Sequence, residues 1–481
     1  MSAKKKERKR PARRTEAPRR PLAAVILAAG EGKRMRSRTA KVLHEVAGRA
    51  LISHVLDAVD ALAPERKVAI TGHQEPAVRA VIGDRADFAT QAEQLGTGHA
   101  VLQARAALRG FEGDVLVLCG DVPLLTTTTL RKLWSVHVRR DALATVLAMH
   151  ADDPTGYGRV IDEEPDGLRI VEHADATAAE RLVAVVNSGT YCFDAAFLFR
   201  ALAGLGRDNA QGEYYLTDVI AAAAAKDRAA KLVLPEESEC LGVNSRNDLA
   251  TAEALLRERL VDHWMERGVT FIDPNTVYLG AGVRIGRDTV IGPNVRLEGD
   301  TRLGEGCTLE GTCYLNDAVV GDDVLIRWGV VANQVTIKRG AKIGPYAHLR
   351  PQAELGEDVH IGNFVEVKKS RIGRGSKANH LTYIGDATIG RDSNIGAGTI
   401  TCNYDGFGKH RTTIGDRVQI GSDTQLVAPV EIGSDSYVAA GSTVTRDVEP
   451  GSLVFNDKRQ QSRSGWVAEF RKRAAKRSRK R

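Results

Sequence analysis

From Ile285 onward the chain is organised in sixes. Aliphatic residues fall at Ile285, Ile291, Leu297, Leu303, Leu309 and Leu315, again at Ile337, Ile343, Leu349, Leu355, Ile361 and Val367, and a third time at Ile414, Ile420, Leu426, Ile432, Val438 and Val444. Four positions after most of them stands a small residue, such as Thr289, Thr301, Cys307, Cys313, Ala347 or Ser436. A strict period of this kind marks a solenoid, the hexapeptide parallel β-helix. Three hexads close one triangular coil, with the aliphatic residue filling the interior and the small one fitting the tight corner. At 18 residues per coil, the roughly 170 residues of this region give about nine or ten coils. Cys307 and Cys313 occupy small-residue slots and are read as packing. The period breaks between 395 and 414, where TCNYDGFGKHRTT (401–413) intervenes. An insertion that leaves a solenoid emerges on one face and is often its binding loop.

Spacing alone yields one chemical inference. Arg350 follows Leu349 and Lys368 follows Val367, 18 residues later. They therefore hold the same position on successive coils, stacked roughly 4.8 Å apart like neighbouring strands. Two cations so placed repel unless an anion lies between them, or unless they splay into solvent. The anion site is the reading favoured here.

The first half has another grammar. Apolar runs at 23–30, 67–71, 114–121 and 143–149 predict strands, and 51–59 and 98–108 predict helices between them. This alternation predicts an α/β domain with a mixed, mostly parallel sheet, whose ligands sit at the carboxyl ends of the strands. Residues 250–267 predict an amphipathic connecting helix, with Leu256, Leu260 and Trp264 recurring at i+4. LAAGEGKRM (27–35) follows the first strand. Gly30 and Gly32 let backbone N–H groups approach an anion, and Arg34 and Lys41 add charge. No third glycine completes a dinucleotide fingerprint. Asp121, ending a buried strand in LCGDVPLL, is suited equally to Mg²⁺ and to capping a loop. QAEQLGTGHA (91–100) offers amides and a Gly-Thr-Gly turn to a base or sugar edge.

Charge is concentrated at the ends. The whole chain carries +7, but residues 1–20 hold ten Lys/Arg against two Glu, and 467–481 hold eight against one. The body between them is net negative. Such like-charge blocks are read as solvated, disordered tails. No groove-reading motif accompanies them, so a nucleic-acid or anionic partner is possible but unsupported. No apolar stretch approaches the roughly 18 residues of a membrane span, and no signal-peptide pattern is present. The expected location is the cytoplasm, with the six cysteines reduced.

The motifs LAAGEGKRM, KVLH (41–44), QAEQLGTGHA, GDVPL (120–124), DDPTGYGR (152–159), VEH (171–173), NSGT (187–190), QGEYYLTD (211–218) and GVN (242–244) stand in order before the hexads. Together they resemble the bifunctional N-acetylglucosamine-1-phosphate uridyltransferase/glucosamine-1-phosphate N-acetyltransferase family over about residues 21–466. The resemblance implies a Rossmann-like nucleotidyltransferase domain at 21–249 after a basic tail at 1–20. A linker helix at 250–268, a left-handed β-helix acetyltransferase domain at 269–460 and a basic tail at 461–481 would follow. It implies an enzyme that acetylates glucosamine 1-phosphate with acetyl-CoA, then transfers UMP from UTP to N-acetylglucosamine 1-phosphate. Its partners would be small-molecule substrates and its own copies, in a homotrimer that binds the acyl donor between subunits.

Residue by residue, the family match implies that Leu27, Ala28, Ala29 and Gly30 cradle the nucleotide, with Arg34 and Lys41 on phosphate and Cys119 and Gly120 in the same site. Gln91, Gly96 and Thr97 would read uracil. Gly158, Glu172 and Asn187 would hold the amino sugar, and Asp121 and Asn244 the Mg²⁺. In the second half His380 would be the catalytic base. Arg350, Lys368, Tyr383 and Asn394 would bind the sugar phosphate. Ala397, Asn403, Tyr404, Ser422 and Ala440 would contact acetyl-CoA. Three positions depart from the family: Cys119 where Tyr often stands, Ala40 where Pro often precedes the Lys, and Asp457 where relatives carry an Arg. A chain with one live half, or a non-enzymatic regulatory subunit, would have lost the Lys, Asp and His positions that this one keeps.

Overall fold

The structure is a computed structural model describing residues 20–163, 167–234, 238–457 and 459–478. The basic block 1–20 lies outside the described residues except for Arg20, which binds Asp114 at 3.2 Å and Asp194 at 3.0 Å. The chain divides into two units, one through Leu260 and one from Val261.

The first unit is built on a nine-stranded sheet. Its central order is Ala229–Leu234, Ala144–His150, Val185–Asp194, Asp114–Cys119, Leu22–Leu27, Arg66–Thr71 and Asp87–Thr90, with Val185–Asp194 running against its neighbours. Leu22–Leu27 pairs in parallel with Arg66–Thr71 on one side and Asp114–Cys119 on the other. The chain direction across the sheet reverses between those two pairings. A crevice therefore opens beyond the carboxyl ends of Leu22–Leu27 and Asp114–Cys119, where α/β sheets bind ligands. Because both faces are covered, the central strands are continuously apolar: Ala23, Val25, Val115 and Val117 pack into one layer, and Ala24, Ile26, Leu116 and Leu118 into the other. The helix expected over 98–108 covers Thr97–Leu102 and tightens into a 3₁₀ turn at Gln103–Arg105.

The connecting helix runs from Arg246 to Met265, four residues earlier than its apolar pattern suggests. Ser245 and Asp248 form a reciprocal cap: Asp248 N–H donates to Ser245 Oγ at 3.2 Å, and Ser245 N–H to Asp248 Oδ2 at 2.8 Å. At the other end Gly268, at φ +87°, closes the helix, and Val269 N–H reaches back to Trp264 O at 3.1 Å.

The second unit is the expected parallel β-helix. Three sheets of eleven, ten and nine short parallel strands take successive thirds of each coil, the architecture of a left-handed hexapeptide prism. The aliphatic positions are buried along its length, from Ile285 through Leu349 and Leu426 to Val444. The apparent gap between Leu315 and Ile337 contains no break. Val320, Ile326 and Ala332 fill the interior there, and the strand containing Leu315 pairs with the one containing Ala332, a coil of 17 residues rather than 18. A one-residue slip removes the period from the sequence while leaving the coil intact.

The block 467–481, expected as a disordered tail, is instead helical over Trp466–Ser478. The expectation of solvation holds, since every described side chain from Trp466 to Lys476 is exposed. Among the described residues no helix is long and apolar enough to cross a membrane.

Candidate active sites

The crevice of the first unit holds a cavity of about 520 Å³ lined by Leu27, Ala28, Ala29, Gly30, Lys41, Gln91, Gly96, Thr97, Cys119 and Asp121, all anticipated from the sequence. Lys33 lines it as well, whereas Arg34 is exposed and does not. Gly120 N–H donates to Leu27 O at 2.9 Å, fastening the two crevice loops together. Gly96 sits at φ +108°, and a Cβ there would stand 2.7 Å from Tyr214 O, so no other residue fits this turn. Buried Gln91 donates through its amide to Gly96 O at 3.1 Å. Burial pushes the Cys119 thiol up to about 12, so it stays protonated and unreactive at neutral pH.

At one end of this cavity Lys41 Nζ binds both Asp121 Oδ2 and, at 3.1 Å, Asn244 Oδ1. Backbone contacts hold the two oxygens in place. Val243 N–H donates to Asp121 O at 2.9 Å, and Asn244 N–H donates to Asp248 Oδ2 at 2.9 Å. Two oxygens so fixed around one cation match the donor chemistry of Mg²⁺, which keeps water and phosphate as its other ligands. No fuller cluster of three or more His, Cys, Asp or Glu suited to a metal exists among the described residues.

Gly158, Glu172 and Asn187 form a second group. Asn187 N–H donates to Gly158 O at 2.8 Å, and a Cβ on Gly158 would stand 3.3 Å from the Glu172 carboxylate. Burial raises the Glu172 carboxyl above its usual range, against the hydrogen bond from Thr217. Asn187 Nδ2 donates to the buried Tyr191 hydroxyl at 2.7 Å. The irregular pairing between Asn187 and Thr190, with Gly189 at φ +76°, turns these groups out of the strand. The sequence analysis missed Tyr191, Thr217 and Gln94, whose amide ties down Ala29 O at 2.8 Å. None of them has a local signature.

In the second unit, strand register assembles the site. His380 pairs directly with Asn363 across neighbouring strands. Its Nδ1 lies 2.7 Å from Asn363 Oδ1. An amide oxygen only accepts, so Nδ1 carries the hydrogen and Nε2 keeps its lone pair. On the coils that follow, Ala397, Ser422 and Ala440 stand two residues beyond Ile395, Ile420 and Val438, the place His380 holds beyond Ala378. Asp423 N–H to Ala397 O (2.7 Å) and Gly441 N–H to Ser422 O (2.8 Å) tie these corners together. Small side chains thus continue a single column away from His380.

Arg350 and Lys368 are stacked as the spacing requires: Leu349 pairs with Val367, and Arg350 N–H donates to Val367 O at 2.8 Å. Arg350 also holds Glu366 at 2.7 Å. The Lys409 ammonium, and after it Arg350, pulls the Lys368 ammonium below its ordinary range, so three cations converge. Lys409 comes from the loop that interrupts the hexads. That loop is folded on Asp405, which accepts from Phe407 and Gly408 N–H at 2.8 and 2.7 Å. Asn403, at its root, donates to Asp386 at 2.6 Å and lies 3.4 Å from the Tyr383 hydroxyl. Tyr404 is exposed on the loop, bridged to Lys409. Asn394 lies apart from the cations, on the strand beside that of His380. Sequence analysis missed Asn363, Glu366 and Lys409. Lys409 could have been suspected as a cation inside the predicted binding loop.

Comparison with known proteins agrees with both sites. The MobA-like NTP transferase domain family matches residues 24–165, and the GMPPB C-terminal domain family matches residues 331–432. Relatives named bifunctional protein GlmU match almost end to end. That of Pelobacter propionicus is 50% identical over 94% of this chain and 99% of its own. That of Heliobacterium modesticaldum is 48% identical over 92% and 97%, and that of Shouchella clausii 47% over 92% and 98%. With an NTP transferase crevice and a hexapeptide prism on one chain, and identity at this level over both, the chain belongs to the GlmU family, the bifunctional uridyltransferases and acetyltransferases of UDP-N-acetylglucosamine synthesis.

Proposed function

We propose that the two activities are divided between the halves: residues 21–249 carry uridyl transfer and 269–460 acetyl transfer, joined by 250–268, with independent sites. The observation that carries this reading is the His380 column, a base with a fixed tautomer beside three converging cations, on a unit separate from the Lys41–Asp121–Asn244 cluster.

In acetyl transfer the sugar phosphate sits on Arg350, Lys368 and Lys409, with Tyr383 and Asn394 completing the pocket. The sugar amine faces Nε2 of His380. Nε2 takes the amine proton as nitrogen attacks the thioester carbonyl, the C–S bond breaks, and CoA leaves as its thiol. Acetyl-CoA lies along Ala397, Ser422 and Ala440, closed over by Asn403 and Tyr404. Uridyl transfer needs little covalent help from the protein. The phosphate oxygen of N-acetylglucosamine 1-phosphate attacks the α-phosphorus of UTP, and pyrophosphate leaves. Residues 27–30 and Lys41 hold the phosphates, with Arg34 near them. Gln91, Gly96 and Thr97 hold uracil, beside Cys119 and Gly120. Gly158, Glu172 and Asn187 hold the sugar. Asp121 and Asn244 would hold Mg²⁺, which neutralises charge on the phosphates when bound. Lys41 then turns from those oxygens to phosphate.

Homotrimer formation is supported by a row of exposed apolar residues beside His380. Tyr346, Phe364 and Leu381 are 58, 57 and 64% exposed, and the first two rings stack at 5.7 Å. A cytoplasmic location is supported by the substrates, UTP and acetyl-CoA. The test is a pair of variants in assays of the separate half-reactions. Asp121→Ala abolishes pyrophosphate release from UTP and leaves CoA release intact. His380→Ala lowers acetyl transfer by about 10²–10⁴-fold and leaves uridyl transfer intact. Equal damage to both reactions by either variant, in folded protein, overturns the division.

A further inference from the structure

The helix Trp466–Ser478 has no part in either reaction. At 100° per residue, Trp466, Val467, Phe470 and Ala474 fall within an arc of about 100°. Trp466 and Phe470 stack at 5.1 Å with their rings 15° from parallel, yet Trp466, Val467 and Phe470 are 44, 55 and 53% exposed. Arg471 and Arg473 flank this arc, and Lys472 and Lys476 lie opposite it. The single acidic residue, Glu469, is engaged by Arg463 and Arg473, each at 3.3 Å. In sequence, 467–481 hold eight Lys/Arg against that one Glu, while the body from 21 to 466 is net negative. The positive charge is therefore set apart from the rest of the chain and combined with an aromatic face.

We infer that this helix docks on the surface of an anionic lipid bilayer. Trp466, Val467 and Phe470 would enter the boundary between headgroups and acyl chains, and the arginines and lysines would contact lipid phosphates. A basic amphipathic helix with aromatic residues on its apolar face has the composition of an interfacial binder. Headgroup charge and a shallow apolar layer satisfy both of its faces at once. A nucleic-acid backbone would engage the cations and leave the stacked aromatic pair unused. A second copy of the chain offers acidic surface, so it is the other occupant the test must separate. Attachment by one short helix is reversible and weakens with salt.

The test uses the full chain and sedimentation with vesicles of phosphatidylcholine, either alone or containing about a quarter phosphatidylglycerol. Expected is binding to the anionic vesicles that falls at least tenfold on passing from about 0.05 to about 0.5 M salt. The double variant Trp466→Ala/Phe470→Ala and a chain ending at Gly465 should bind at least tenfold more weakly, with both transferase activities unchanged. Trp466 fluorescence should shift to the blue on binding. The inference is overturned if both vesicle types bind equally, or if the double variant binds as well as the parent, since charge alone then accounts for attachment. It is also overturned if ending the chain at Gly465 lowers the oligomer mass or acetyl transfer without changing vesicle binding, which assigns the helix to another copy.

Discussion

Lys409 has no regular place in the hexads, yet it completes the cation group that the stacked Arg350 and Lys368 begin. It arrives there because Asp405 folds its loop back on itself. A charge-assisted hydrogen bond to an anion contributes about 1.5–3 kcal/mol. Lys409→Met is therefore expected to raise the KM for glucosamine 1-phosphate by about tenfold or more, with uridyl transfer unchanged, as steady-state assays of each half-reaction would reveal. Glu172 presents the opposite case, a carboxyl whose burial raises its folded-state pKa. The folded state then binds the proton more readily than the unfolded chain. Stability falls as pH rises from the usual carboxyl range through the raised value. Glu172→Gln removes that penalty. The variant should melt higher than the parent at pH 7, with the gain vanishing below the ordinary carboxyl pKa, while its KM for N-acetylglucosamine 1-phosphate rises. Melting curves across pH, alongside kinetics, check both effects. Arg350 and Lys368 were legible because their partnership is written as a spacing. Asn363, Glu366 and Tyr191 were not, because each matters only through a neighbour supplied by register or by a bulge.

The same distinction holds among the helices and strands. The apolar stripe of the connecting helix begins near Leu256, so hydrophobic periodicity places its start late. The actual start is fixed by Ser245 and Asp248, a polar signal three residues apart. That cap also serves the crevice, since Asp248 accepts from Asn244 N–H and so aims the amide oxygen at the cation. Ser245→Ala should cost about 1 kcal/mol of stability, the usual value of an N-cap. It should also raise the Mg²⁺ concentration needed for half-maximal uridyl transfer, which a metal titration of the variant and a denaturant curve would measure. The strands of the crevice were legible from composition alone, as continuous apolar runs ending in glycine. The coil between Leu315 and Ile337 was not, because one deleted residue shifts every later position while the strands still pair. Trp466–Ser478 was misread as tail because its charge masked a helical arrangement of aromatic residues.

The two halves solve the burial problem in different ways, and this sets how damage should spread. The sheet of the first unit packs into clusters that join residues far apart in sequence, such as Val25, Val115 and Phe193. In the prism each coil touches only the coils above and below, so stability is close to a sum of neighbouring terms. Leu349 is fully buried between Ala332 and Val367 on the adjacent coils, with Arg350 following it directly. Truncating such a leucine costs about 2–5 kcal/mol, and a solenoid relieves that loss by opening locally. Leu349→Ala should therefore lower the temperature at which acetyl transfer is lost and raise the KM for glucosamine 1-phosphate by displacing Arg350. The temperature at which uridyl transfer is lost should stay where it was. Residual activity of both reactions after graded heating, read beside calorimetry, tests this directly. Parallel loss of the two activities would mean that the units melt as one cooperative body, contrary to their separate cores.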